Sequence, residues 1–345
     1  MAQINKPNEY FNTKLYTGNN STNAITGVGF QPDLVWIKEK SSTSSHRLID
    51  AVRGVGKGLS SDSTGAEQVI ANILTSFDND GFTVDDDNGT NENSQTYASW
   101  NWLGANGTAS NTDGSITSTV SANTTSGFSI VSYTGTGVGT SATIGHSLGV
   151  APSMIIVKSR DSSGRGWIVY HKSLGATKKL ELQTANAEAT DSGAWNNTAP
   201  TSTVFSVGTG GDTNTTDNFI AYCFAEKKGF SKFGSYTGNG NADGTFVYTG
   251  FKPAFVITKS TDIAQHWQLY DNKRNEYNQS SKILFPSLSA AEQNDPNAAV
   301  IDMLSNGFKQ RVNDIGGNGS GNSYIYMAFA ENPLVGTNNI PATAR

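Results

Sequence analysis

Residues 149–158 read Gly149-Val150-Ala151-Pro152-Ser153-Met154-Ile155-Ile156-Val157-Lys158. Proline cannot donate to a β-ladder, so Pro152 belongs at the beginning of a strand. The run after it is apolar on both faces, as expected of a central strand in a sandwich. The same pattern recurs as Gly29…Pro32…Lys38 around Leu34-Val35-Trp36-Ile37, and as Gly250…Pro253…Lys259 around Phe255-Val256-Ile257-Thr258. Upstream of each lies a Tyr-Thr-Gly, at Tyr16, Tyr133 and Tyr236. Downstream of each lies an aromatic strand, Tyr97 to Trp102, Phe219 to Phe224 and Tyr324 to Phe329. The Tyr-to-Pro separations are 16, 19 and 17 residues, and the Pro-to-last-aromatic separations 70, 72 and 76. Shared order and spacing mark one unit written three times. A fourth Tyr-Thr-Gly, at Tyr248, starts nothing, so the tripeptide alone carries little weight.

The expected fold is all-β: three tandem antiparallel β-sandwich, jelly-roll-like repeats over residues 1–106, 107–227 and 228–331, with a C-terminal tail at 332–345. Short β-branched and aromatic runs between Gly, Asn, Asp and Ser clusters support it. So do the turn signals Asp80-Gly81 and Asn306-Gly307, which favour hairpins. Each repeat is expected to bury a small core of its own. Units two and three meet at Glu226-Lys227-Lys228-Gly229 with almost no linker, which predicts rigid packing. Exposed edge strands need covering by neighbouring units or other chains, which predicts a homo-oligomer or a larger assembly.

Charged residues make up 15% of the 345, and the net charge is −5. No Lys/Arg stripe is present, which argues against nucleic acid as a partner. No apolar run approaches the roughly 18 residues of a membrane helix. The opening residues lack the apolar stretch of a secretory signal, so synthesis and folding in a cytoplasm are expected. The single cysteine, Cys223, excludes an intrachain disulfide and reads as a small buried side chain.

The motifs that suggest catalysis fail on context. Gly145-His146-Ser147-Leu148-Gly149 has the nucleophile-elbow spacing, but a Pro and a strand follow it rather than a helix. Gly54-Val55-Gly56-Lys57-Gly58 lacks the Ser or Thr of a phosphate loop. The acidic run from Asp78 to Asp87 reads as a solvated loop, with calcium as the alternative. No cofactor and no catalytic residue is expected. The ligand or interface candidates are Trp195, an aromatic on a polar loop; His46 and His266, read as matching repeat positions; and Lys38, Lys158 and Lys259, which recur in all three units. For the lysines the plainer reading is a strand end with the ammonium reaching water.

Several passages resemble a repeated β domain found in virion structural proteins of tailed bacteriophages, including marine phages, where it is often described as tail-fibre-like or lectin-like. They are Ile116 to Asn123, Ser129 to Gly135, Gly145 to Pro152, Asn218 to Glu226, Phe233 to Gly240 and Ala328 to Pro333. The resemblance implies a virion protein and supplies no catalytic residues. The expected role is a tail fibre or tail appendage that attaches to a host-surface glycan and contacts other virion proteins. A capsid decoration protein is the alternative, and a polysaccharide-degrading virion enzyme the second alternative.

Overall fold

A computed structural model describes residues 3–297, 300–335, 341 and 343. Strands take 42% of the residues and helices 3%, so the fold is all-β. Of the tail from 332, residues 336–340, 342, 344 and 345 lie outside the described residues.

Three sheets share one strand order: opening, closing, central, hairpin. In the first, the opening strand Phe11–Thr17 pairs with the closing strand Thr96–Trp102, which pairs with the central strand Leu34–Glu39, which pairs with the hairpin strand Arg47–Asp50. In the second the strands are Phe128–Thr134, Asn218–Phe224, Met154–Ser159 and Ile168–His171. In the third they are Ser231–Thr237, Ser323–Pro333, Phe251–Ser260 and Gln268–Asp271. All ladders are antiparallel, and each central strand is buried along its whole length. That burial on both faces accounts for the unbroken apolar runs after each proline.

The outer face of each sheet packs on a smaller sheet and encloses a peripheral core, such as Val35, Ile37, Ile49, Phe82 and Tyr97 in the first unit. Each unit therefore buries a core of its own, as the sequence led one to expect; what the sequence did not show is that the inner faces form a fourth core in common. They join in one central cluster with contributions from every unit, among them Trp36 and Trp100, Ile156 and Tyr222, Ile257 and Met327. Alternation along each strand divides its side chains between the two cores. The last aromatics, Trp102, Phe224 and Phe329, meet inside this cluster. Phe329 has ring contacts with Phe11 (5.1 Å), Trp102 (5.7 Å), Phe224 (6.0 Å) and Phe255 (6.1 Å), and so touches all three sheets.

Hydrogen bonds recur around the cluster, one set at each seam. Backbone N–H groups of Glu67, Glu188 and Glu292 donate to the carbonyls of Arg160, Thr261 and Lys40 in the next unit, at 2.7, 2.7 and 2.8 Å. Tyr222 OH donates to Asp50 of the first unit (2.8 Å) and Trp100 Nε1 to Asp271 of the third (3.1 Å). At the remaining seam His171 Nδ1 accepts from the Ser173 amide, which leaves Nε2–H to donate to Tyr326 O at 3.2 Å. Asp50 and Asp271 are themselves held by buried Arg53 and Arg274, both at 2.5 Å.

Phe329→Ala is expected to cost about 3–5 kcal/mol. Because one core serves three units, the variant should still unfold in a single transition, at lower denaturant, by both fluorescence and circular dichroism. Separate transitions for the two probes would show that the units fold independently.

Candidate functional site

The residues singled out from sequence are mostly internal. Trp195 is 1% exposed, packed edge-on against Tyr170 in the second peripheral core. The short helix Ser192–Trp195, capped by Asp191 accepting from the Gly193 amide, turns the ring inward. It therefore offers no face to a ligand, contrary to its reading as a surface aromatic.

His46 is fully buried, and its counterparts are not those read from sequence. It lies four residues before Asp50, which pairs with Leu34. Trp167 and Trp267 lie four residues before His171 and Asp271, which pair with Met154 and Phe255. The three side chains do the same work. Trp167 Nε1 donates to Ser60 O at 2.8 Å and Trp267 Nε1 to Glu181 O at 2.9 Å, each across a seam. His46 Nδ1 accepts from Trp36 Nε1, so Nε2–H donates to Phe285 O at 3.0 Å. Burial holds its pKa well below the usual imidazole value, which keeps the ring neutral. His266 is off by one residue from this ring of contacts. It is part-exposed and hydrogen-bonds Ser287 at 2.9 Å.

Lys38, Lys158 and Lys259 are buried, so their ammonium groups do not reach water. Each lies on the inner face of its central strand and donates to the carbonyl of the next residue: Glu39 (2.5 Å), Ser159 (2.9 Å) and Ser260 (2.6 Å). Lys259 also reaches Ala185 O of the second unit at 3.3 Å. The inward turn of the sheets leaves these side chains no route to solvent. Desolvation lowers all three pKa values from 10.5 to about 8.

The acidic run is spent on local structure. Asp80 accepts from the amides of Gly27 (3.0 Å) and Gly29 (2.6 Å), bonds that hold its carboxyl below the usual range. Asp78 accepts from Thr83 and Asp86 from Asn72. Among the described residues no three His, Cys, Asp or Glu side chains come together as a metal site. Ser147 sits at φ +57° in a loop and its hydroxyl accepts from Asn111 at 2.7 Å. Cys223 is buried, and burial pushes its thiol pKa up.

What sequence reasoning passed over is Tyr248. In the strand Phe246–Tyr248, Val247 is buried while Phe246 and Tyr248 are 44% and 56% exposed. Period-two alternation puts both rings on one solvent face. Tyr248 borders a hollow of about 350 Å³ lined also by Glu226, Lys228, Lys232 and Gly250. Desolvation opposes the charge on Glu226, but Lys172 and Lys232 bond it at 2.5 and 2.7 Å and hold its pKa below the usual range. An exposed ring beside a fixed carboxylate and two ammonium groups can stack on an apolar face and hydrogen-bond its polar rim. The missed signal was the alternation around the Tyr-Thr-Gly that opens no unit.

A family model described as "Domain of unknown function (DUF7483)" matches residues 6–333. No curated protein and no solved structure matches the chain.

Lys38→Met, Lys158→Met and Lys259→Met should each raise stability at pH 7. A lysine whose folded pKa is near 8, against 10.5 unfolded, is charged at a cost below pH 8; that cost is relieved as pH rises. Wild-type stability measured in urea should therefore climb between pH 8 and about 10, where unfolded-state tyrosines begin to ionise. Each substitution should remove a share on the order of 1–3 kcal/mol. An unchanged slope in the triple variant would contradict the buried ammonium groups.

Proposed function

The chain belongs to the DUF7483 family, a family of unknown function; we propose, from the sequence resemblance described above, that it is a structural protein of a bacteriophage virion. In this reading it forms part of a tail fibre or tail appendage, attaches to a host-surface glycan, and is not an enzyme. The observation that carries the glycan reading is the exposed Tyr248 ring beside the charged hollow at Glu226, Lys228 and Lys232. A sugar ring offers the matching chemistry, an apolar face with hydroxyls around it. The virion setting draws on the sequence resemblance described above. A scaffold whose seam side chains are committed to internal bonds suits a role in which surface loops do the binding. Its partners would be other virion proteins, and it would act in an oligomer or assembly on the virion.

Binding of the protein to an array of bacterial surface polysaccharides tests this. The wild type should be retained by at least one glycan, and Tyr248→Ala should weaken retention by about tenfold or more, as expected for an aromatic anchor. Trp195→Phe should leave retention unchanged, because that ring is internal. Absence of retention, or retention indifferent to Tyr248→Ala, would remove the glycan reading. Density on the capsid lattice in electron micrographs of the virion would replace the tail assignment with a decoration protein.

A further inference from the structure

The three sheets differ at one edge. In the second unit the opening strand Phe128–Thr134 is itself covered by the strand Ser118–Asn123, which places Asn123, Ser121 and Thr119 opposite Phe128, Ile130 and Ser132. In the first unit the corresponding edge residues are Phe11, Thr13 and Leu15, and among the described residues no strand is hydrogen-bonded to that side. The preceding chain turns away, with the Ile4 amide bonded to Lys228 O. In the ladder with Thr96–Trp102 the bonded pairs run through Tyr10–Leu103 and Gly18–Gln95, so the backbone groups of Phe11, Thr13 and Leu15 point outward.

Beside this edge lie two adjoining hollows of about 280 and 260 Å³ that share Asn12 and Lys273. Two buried polar atoms there have no hydrogen-bond partner: Thr13 Oγ1, in a residue 4% exposed, and Asn272 Oδ1, in a residue 2% exposed. An unsatisfied buried polar atom is costly, and a hydrogen-bonding partner at either would relieve that cost. In the second unit the seat is filled: Ser121 of the covering strand donates to Asp33 of the first unit at 3.2 Å. The counterpart of Asp33 beside the empty seat is Ala254, since Leu34 and Phe255 take equivalent places against Trp102 and Phe329. Lys14 and Lys273 line the groove together with Glu276 and with Glu331, which is paired with Lys252 at 3.5 Å. Among the described residues the third opening strand, Ser231–Thr237, is also without a covering strand, but none of its own residues carries such an unpaired buried atom.

We propose that this groove docks an extended polypeptide segment of another protein, which adds as an antiparallel strand to Phe11–Thr17 and places an acidic side chain against Lys273. Backbone bonds to Thr13 and Leu15 supply affinity, and the Asn272–Lys273 corner supplies selectivity. The second unit is the internal example of a strand in that seat.

The probe is a synthetic peptide of residues Thr117–Thr124 carrying Ser121→Asp, titrated into the full chain and read by amide NMR shifts. The part-exposed Leu15 amide should exchange without peptide and become protected with it, and the Thr13 amide should shift on binding. The peptide without the substitution should bind more weakly. Thr13→Pro removes an outward N–H without touching the ladder to the closing strand, and should weaken binding by about tenfold or more. Lys273→Glu, at an exposed position, gives an independent variant and should weaken it by about tenfold. No saturable shift at Thr13 and Leu15 up to millimolar peptide would overturn the proposal, and so would binding indifferent to Lys273→Glu.

Discussion

The meeting of Trp102, Phe224 and Phe329 in one aromatic cluster is the constraint on which the rest of this structure depends. Each is the last aromatic of a closing strand, and each closing strand is flanked by the opening and central strands of its own sheet. Once the three rings pack together, the inner faces of all three sheets must turn toward each other. Two-faced burial of the central strands follows, because the outer faces already hold peripheral cores. Pairs such as Phe11–Phe329 and Trp102–Phe255 are each worth about 0.5–1.5 kcal/mol beyond their area, so the geometry of the cluster is specified as well as its hydrophobicity.

Polar chemistry is arranged around that cluster rather than in a cleft. Asp50–Arg53 and Asp271–Arg274 are buried ion pairs, and each aspartate also accepts a bond from the closing strand of a neighbouring unit. The second unit breaks the pattern, with His171 and Leu174 in place of Asp and Arg, and its imidazole, held near pKa 4 by burial, makes the seam bond as a neutral donor. Side chains that resemble catalytic equipment in a sequence are here fasteners between sheets. What remains for recognition is at the periphery, where Tyr248 and the uncovered edge of Phe11–Thr17 lie.

The central strands, the closing aromatics and the turn at Asp80-Gly81 were legible because alternation, proline placement and Asp-Gly chemistry are local signals. That the three inner faces share one core was not, because an apolar residue at position 36 or 156 looks the same whichever wall it faces. The lysines were found by their recurrence, yet their depth was misread: a lysine at a strand end is usually free, whereas these three lie on the inner faces of their sheets and are buried. His46 was aligned with His266 by residue type, whereas backbone register aligns it with Trp167 and Trp267, whose N–H groups make the same kind of bond. Trp195 was placed on the surface because its neighbours are polar, and a four-residue helix turns it inward. Tyr248 was set aside because it opened no unit, although its alternation with Val247 was present in the sequence.

Native-state amide hydrogen exchange tests the shared core most directly. Amides of the closing strands Thr96–Trp102, Asn218–Phe224 and Ser323–Pro333 should exchange only through global unfolding, with one common free energy and the same denaturant dependence. Three distinct opening free energies, one for each sheet, would mean that the units are independently stable and that the common aromatic cluster does not hold them together.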